Sequence, residues 1–125
     1  MNDFSLRFTD WDKEDFRGET YREEWANRLG VVSRTLNRYE QEILDSAPDR
    51  LPQALYWRDR RGRQGLDYYQ KTILFIINKL RTGEAYPNHE LTYTQIQDWF
   101  SGIDEITGKK RILSLTPAIV KEMLR

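Results

Sequence analysis

The most constraining feature of this chain is a single glycine set between two amphipathic segments that have almost no room to turn. Residues 22–29 read REEWANRL, residues 33–44 read SRTLNRYEQEIL, and only Gly30, Val31 and Val32 lie between them. Trp25, Ala26 and Leu29, then Leu36, Tyr39 and Ile43, recur at helical spacing, so each segment has one face to bury. Thr20 followed by Glu23 has the form of a capping box and predicts a helix from about Tyr21 to Leu29. Gly30 stands where a helix end turns left-handed, and Ser33 is placed to cap a second helix reaching about Leu44. A link this short brings the two helices together, and Ala26 is small enough to stand where they cross.

Downstream, the same kinds of signal recur. The stretch DSAPDRLPQA holds two prolines within six residues and reads as a connecting loop. Leu55, Tyr56 and Trp57, and the residues up to Leu66, read as two short strands around a glycine-containing, arginine-rich turn from Arg58 to Arg63. Asp67 with Gln70 opens a helix over YYQKTILFIINKLR, the most apolar in the chain and the expected centre of the fold, which Thr82 and Gly83 end. Thr92 with Gln95 starts another, carrying Ile96, Trp99 and Phe100 to Gly102. Asp104 to Leu113 reads as a hairpin turning at Thr107 and Gly108 and bearing the basic triplet Lys109, Lys110 and Arg111. Thr116 and Pro117 begin a final helix. The expected organisation is an acidic arm at 1–19, a main domain at 20–101, and a hairpin-like turn and short helix at 102–125 packed on the same domain.

Composition narrows the function classes. The chain has 125 residues and a formal net charge of zero, which argues against a protein that coats nucleic acid indiscriminately through phosphate neutralisation. The charge is uneven: residues 1–20 hold six acids against three bases, whereas residues 21–64 hold nine arginines and no lysine. Absence of cysteine excludes disulfide scaffolds, thiol nucleophiles and thiolate metal sites, and suits a cytoplasmic protein. No apolar run approaches the roughly 18 residues that span a bilayer. The acids Asp10, Asp12, Glu14 and Asp15 match no cation-binding loop and read as a solvated helical turn. His89 is the sole histidine, in a polar loop beside Pro87 and Asn88, and neither a phosphate-cradling glycine loop nor a nucleophile elbow occurs. No catalytic residue, metal ligand, cofactor or small-molecule effector is expected, and the chain does not read as an enzyme.

Ala26, Gly30, Val32 and Leu36 occupy the places that a helix-turn-helix keeps for its crossing residue, its turn and the apolar seats of its second helix. In these positions the chain resembles helix-turn-helix DNA-binding proteins. Ser33, Arg34, Thr35, Asn37 and Arg38 cluster at the start of the second helix, where arginine can pair with guanine, asparagine with adenine, and hydroxyls with phosphate. The strings TLNRYE at 35–40, RDRRGR at 58–63, Tyr68 and Tyr69, ILFIINKLRTG at 73–83 and LTYTQIQDWF at 91–100 extend the resemblance to the MerR-like winged type. What the resemblance implies is a mainly α, winged helix-turn-helix fold with a small β-hairpin wing and additional C-terminal helices. It also implies that Arg34, Thr35, Asn37 and Arg38 face the major groove of double-stranded DNA, while Arg58, Arg60, Arg61 and Arg63 reach backbone or minor groove. The order of elements is also similar to the amino-terminal DNA-binding modules of integrase-like transposases. Three roles are thus open: a prokaryotic or phage transcriptional regulator, possible as a homodimer; an accessory protein of transposition, recombination or packaging; or an interaction module that ignores DNA.

Overall fold

Asp67 starts the helix around which the other elements are arranged. In the computed structural model of the chain, which describes residues 12–45, 56–58, 60, 64–86, 89–101, 103–104, 109–110 and 115–125, this helix runs from Tyr68 to Thr82. The Asp67 carboxylate accepts from the Gln70 backbone at 2.9 Å, and the Gln70 side chain returns a bond to the Asp67 N–H at 3.1 Å, closing the expected capping box. Gly83 ends the helix at φ 83°, a left-handed conformation that costs a residue with a Cβ about 1–2 kcal/mol. Every residue from Tyr69 to Leu80 is buried. A helix buried on all sides has to lie in the middle of the molecule.

The remaining elements are numbered in chain order. A 3-10 turn at Lys13–Phe16 precedes strand β1 at Thr20–Tyr21 and helix α1 at Arg22–Leu29. Helix α2 at Ser33–Tyr39 continues as a π-helical turn at Glu40–Asp45. Strand β2 is Gly65–Leu66 and the central helix is α3. Helix α4 at Tyr93–Phe100, strands β3 at Ile103–Asp104 and β4 at Lys109–Lys110, and helix α5 at Pro117–Met123 complete the order. The molecule is mainly helical, with two small antiparallel ribbons. In the first, Thr20 faces Leu66 and Tyr21 faces Gly65; in the second, Ile103 faces Lys110 and Asp104 faces Lys109.

The core is aromatic where the amino-terminal turn meets α1 and α3. Phe16 sits edge-on to Trp25 at 5.2 Å and to Phe75 at 5.1 Å. Leu36, Ile43, Ile73, Leu80, Ile96 and Val120 carry the same cluster through α2, α3, α4 and α5, and Leu115 and Leu124 join it from the carboxyl-terminal segment. The polar groups buried in α3 all find partners, as burial demands. Asn78 donates to the Tyr39 hydroxyl at 3.1 Å, Thr72 donates to the Tyr68 carbonyl at 2.8 Å, and Lys79 pairs with Glu84 at 2.9 Å. Lys71, with none of its surface exposed, donates to the carbonyls of Asp15 at 2.8 Å and Arg17 at 2.9 Å and to the Thr20 hydroxyl at 3.0 Å.

Several local expectations hold. Thr92 and Gln95 form a capping box, Thr116 caps α5 with proline in its first turn, and the strands of the second hairpin pair. Three others are corrected. Thr20 does not cap α1: it lies in β1, its hydroxyl is taken by Lys71, and Tyr21 precedes the helix without a side-chain cap. Ser33 is the first residue of α2 rather than its cap, because the turn closes one residue earlier through Thr35 N–H to the Val32 carbonyl at 2.9 Å. The expected β-hairpin wing does not form from Tyr56 and Trp57: residues 56–58 are helical, and Gly65–Leu66 pairs with Thr20–Tyr21 instead. The reason is burial, since Trp57 is only 5% exposed and Tyr56 packs edge-on to Tyr69 at 4.6 Å. The proline-rich loop beyond residue 45, Leu55, Arg61, Arg63, Thr107, Gly108, Arg111 and Asp10 lie outside the described residues.

Two outcomes follow from this packing. Lys71→Met keeps the volume but leaves two carbonyls and a hydroxyl without a donor, and is expected to lose about 1–3 kcal/mol of stability. An unchanged midpoint in urea denaturation contradicts that account. Burial raises the phenols of Tyr39, Tyr56, Tyr68 and Tyr69 above their usual 10.0, with Asp67 adding to the effect at Tyr56. The unfolded chain therefore releases these protons first, so their stabilisation is complete below pH 10.0 and is lost as pH rises beyond it. Burial acts oppositely on Lys71, lowering it from 10.5, so its contribution improves with pH only up to that value. Above pH 10.5 the phenols decide, and the thermal midpoint is expected to fall while their phenolate absorbance appears together with unfolding.

Candidate nucleic-acid interface

Helices α1 and α2 are joined as their spacing requires. Gly30 adopts φ 78°, and Val31 N–H bonds back to the Ala26 carbonyl at 2.9 Å, closing the end of α1. Ala26 is buried, and Trp25, Leu29, Leu36 and Tyr39 face the core. The opposite face of α2 is exposed at residues 34, 37 and 38, and residue 41 in the following π-helical turn continues it at helical spacing. Ser33 and Thr35 are half-buried at its flank. The candidate residues Arg34, Asn37 and Arg38 therefore share one outward stripe.

Ion pairing divides the arginines of this region into two groups. Arg22 pairs with Glu40, Arg28 with Asp15 at 2.6 Å, and Arg60 with Asp67 at 3.2 Å. Arg34, Arg38 and Arg58 are exposed and make no ion pair among the described residues. Arg60 is held further by the Tyr56 ring, 4.6 Å below its guanidinium carbon, and Tyr56 in turn donates its hydroxyl to Asp67. It is thus half-buried in a clamp and separated in role from Arg58. Trp57 and Tyr69 are buried with their rings 6.2 Å apart, so neither offers a free face for stacking on a base.

The β1–β2 ribbon brings the end of the arginine-rich connection to the start of α1. Arg22 N–H bonds to the Gln64 carbonyl at 3.1 Å, directly beside the pairing of Tyr21 with Gly65. An open groove of about 690 Å³ results, bounded by Tyr21, Gln64, Val32 and Ser33, with Glu23, Glu24 and Asn27 along α1. Tyr21 is 72% and Val32 66% exposed, which is unusual for large apolar side chains in this molecule. Sequence reasoning missed both. Tyr21 reads as the first residue of a helix, and nothing local marks Thr20 and Tyr21 as a strand that pairs with the distant Leu66 and Gly65. The Arg22–Glu40 pair was equally hidden, because it depends on the crossing of α1 and α2.

The described residues assemble no group of three or more histidine, cysteine, aspartate or glutamate side chains suited to a metal, and none of their helices is long and apolar enough to cross a membrane. Compared with known proteins, the chain matches no family profile, and neither a curated protein nor a solved structure is significantly similar to it.

Proposed function

We propose that this chain is a winged helix-turn-helix protein that binds double-stranded DNA sequence-specifically, with α2 entering the major groove. The carrying observation is the outward stripe Arg34, Asn37 and Arg38 on a helix seated behind the Gly30 turn, whose two arginines make no ion pair among the described residues. Other arginines nearby are neutralised by carboxylates, so the two on this stripe remain as cations able to meet phosphate or the O6 and N7 acceptors of guanine. In this reading the β1–β2 ribbon, with the arginine-rich connection entering it, stands in the place of the wing, and Arg58 approaches the DNA backbone. Arg60 orients that connection through Asp67 and Tyr56. Arg61 and Arg63 complete the proposed basic loop. The likeness to MerR-like regulators supports a role in transcriptional regulation. A near-neutral protein with one local basic stripe suits occupation of chosen sites rather than general coating of DNA.

Fluorescence anisotropy with a random-sequence duplex pool across a salt series tests the proposal, run beside an Arg34→Ala/Arg38→Ala double variant. Affinity is expected to fall with rising salt, and the double variant is expected to bind about tenfold or more weakly with a shallower salt dependence. Absence of binding at low salt, or identical binding by the double variant, overturns it.

A further inference from the structure

Three side chains connect α1 to α2 across the proposed recognition face. Arg22, the first residue of α1, pairs through Nη1 with Oε2 of Glu40, immediately after α2. The same Nη1 donates to Oδ1 of Asn37 at 3.4 Å. The side chains of Arg22 and Glu40 are 22% and 15% exposed, whereas Asn37 is exposed on the stripe between Arg34 and Arg38. The pair therefore lies beneath the surface that Asn37 presents.

A guanidinium carries five N–H donors and no acceptor. The amide atom turned toward Arg22 has to be the carbonyl oxygen, and the terminal amide of Asn37 cannot flip without setting donor against donor. Glu40 keeps the guanidinium in place and cancels its charge. One lone pair of Oδ1 is committed to Arg22, leaving the second lone pair and both Nδ2 hydrogens for a ligand. An acceptor and a donor side by side in a fixed order complement the major-groove edge of adenine, where N6 donates and N7 accepts. A freely flipping amide presents either order and spends conformational freedom on choosing one.

Resting on the DNA-binding reading above, we propose that Arg22 and Glu40 are positioning residues that lock the Asn37 amide so that it reads adenine. Arg22 is the cation in this region that sharpens base choice rather than adding attraction to phosphate.

The test is selection of binding sequences from a random duplex pool by the unaltered protein, by Asn37→Ala and by Arg22→Met, with unfolding curves confirming that each variant is folded. The position whose preference disappears in Asn37→Ala is the Asn37 position, and adenine is expected there with the unaltered protein. Arg22→Met is expected to reduce that preference about tenfold while leaving other positions and the salt dependence unchanged. Should Arg22→Met fail to fold, Glu40→Ala serves instead: it frees the guanidinium, so preference at the same position is expected to fall while affinity for random duplex rises. Another base at that position, an adenine preference that survives both variants, or a uniform loss across all positions overturns the inference and leaves DNA binding standing. Failure of the unaltered protein to enrich any sequence overturns both readings together.

Discussion

A buried ammonium holds this fold's amino-terminal half together. Lys71 projects from the central helix into the bend formed by Asp15, Arg17 and Thr20 and satisfies three acceptors that burial would otherwise strand. Its backbone carbonyl accepts from the Trp25 indole at 3.1 Å, which binds α1 to the same point. The segment before α1 is thus fixed to α3, β1 is aligned for pairing with β2, and α1 and α2 take their orientation from that frame. Desolvating an ammonium is expensive, and the ring of oxygens around it, with the Trp25 ring 5.5 Å away, is what offsets the cost. Phe16 fills the space beneath, wedged between Trp25 and Phe75.

The division of arginines is a consequence of the same frame. Once β1 and α1 are placed, Arg22 reaches Glu40 and Arg28 reaches Asp15, while Asp67, already the cap of α3, collects Arg60 and the Tyr56 hydroxyl. One carboxylate therefore starts the central helix and anchors the connection that carries the arginine-rich loop. Among the described residues no such partner is brought to Arg34 or Arg38, which stand one helical turn apart on α2. Like charges at that spacing repel mildly and gain nothing for the fold. Their placement becomes favourable when a polyanion supplies the missing counter-charge, and this asymmetry between structural and unpaired cations is the physical basis of the DNA-binding proposal.

What could be read in the sequence was what a few neighbouring residues decide. The boxes Asp67–Gln70 and Thr92–Gln95, the Thr116–Pro117 start, and the left-handed ends at Gly30 and Gly83 are set within one turn of helix, and each appears in the structure. Thr20–Glu23 had the same local form and failed, because Lys71, distant in sequence, competes for the Thr20 hydroxyl and β2 competes for its backbone. The strand expected to include Tyr56 and Trp57 failed at these two residues for a related reason: an aromatic pair with strong strand propensity packs as a helical turn when Tyr69 offers it a face. At the candidate site the outward positions of α2 followed from helical periodicity. The commitment of Arg60 to Asp67, the exposure of Tyr21 and Val32, and the hold of Arg22 on Asn37 all required the crossing of elements in three dimensions.

The central claim is that the outward face of α2 is a DNA-binding surface, and amide NMR mapping of the whole protein titrated with a random-sequence duplex at low salt examines it most directly. The account predicts that the largest shifts gather at Ser33 to Arg38, extend to Gln64 and Gly65, and spare α5. Shifts concentrated on α5 or α4, or a spectrum that the duplex leaves unchanged, contradict it.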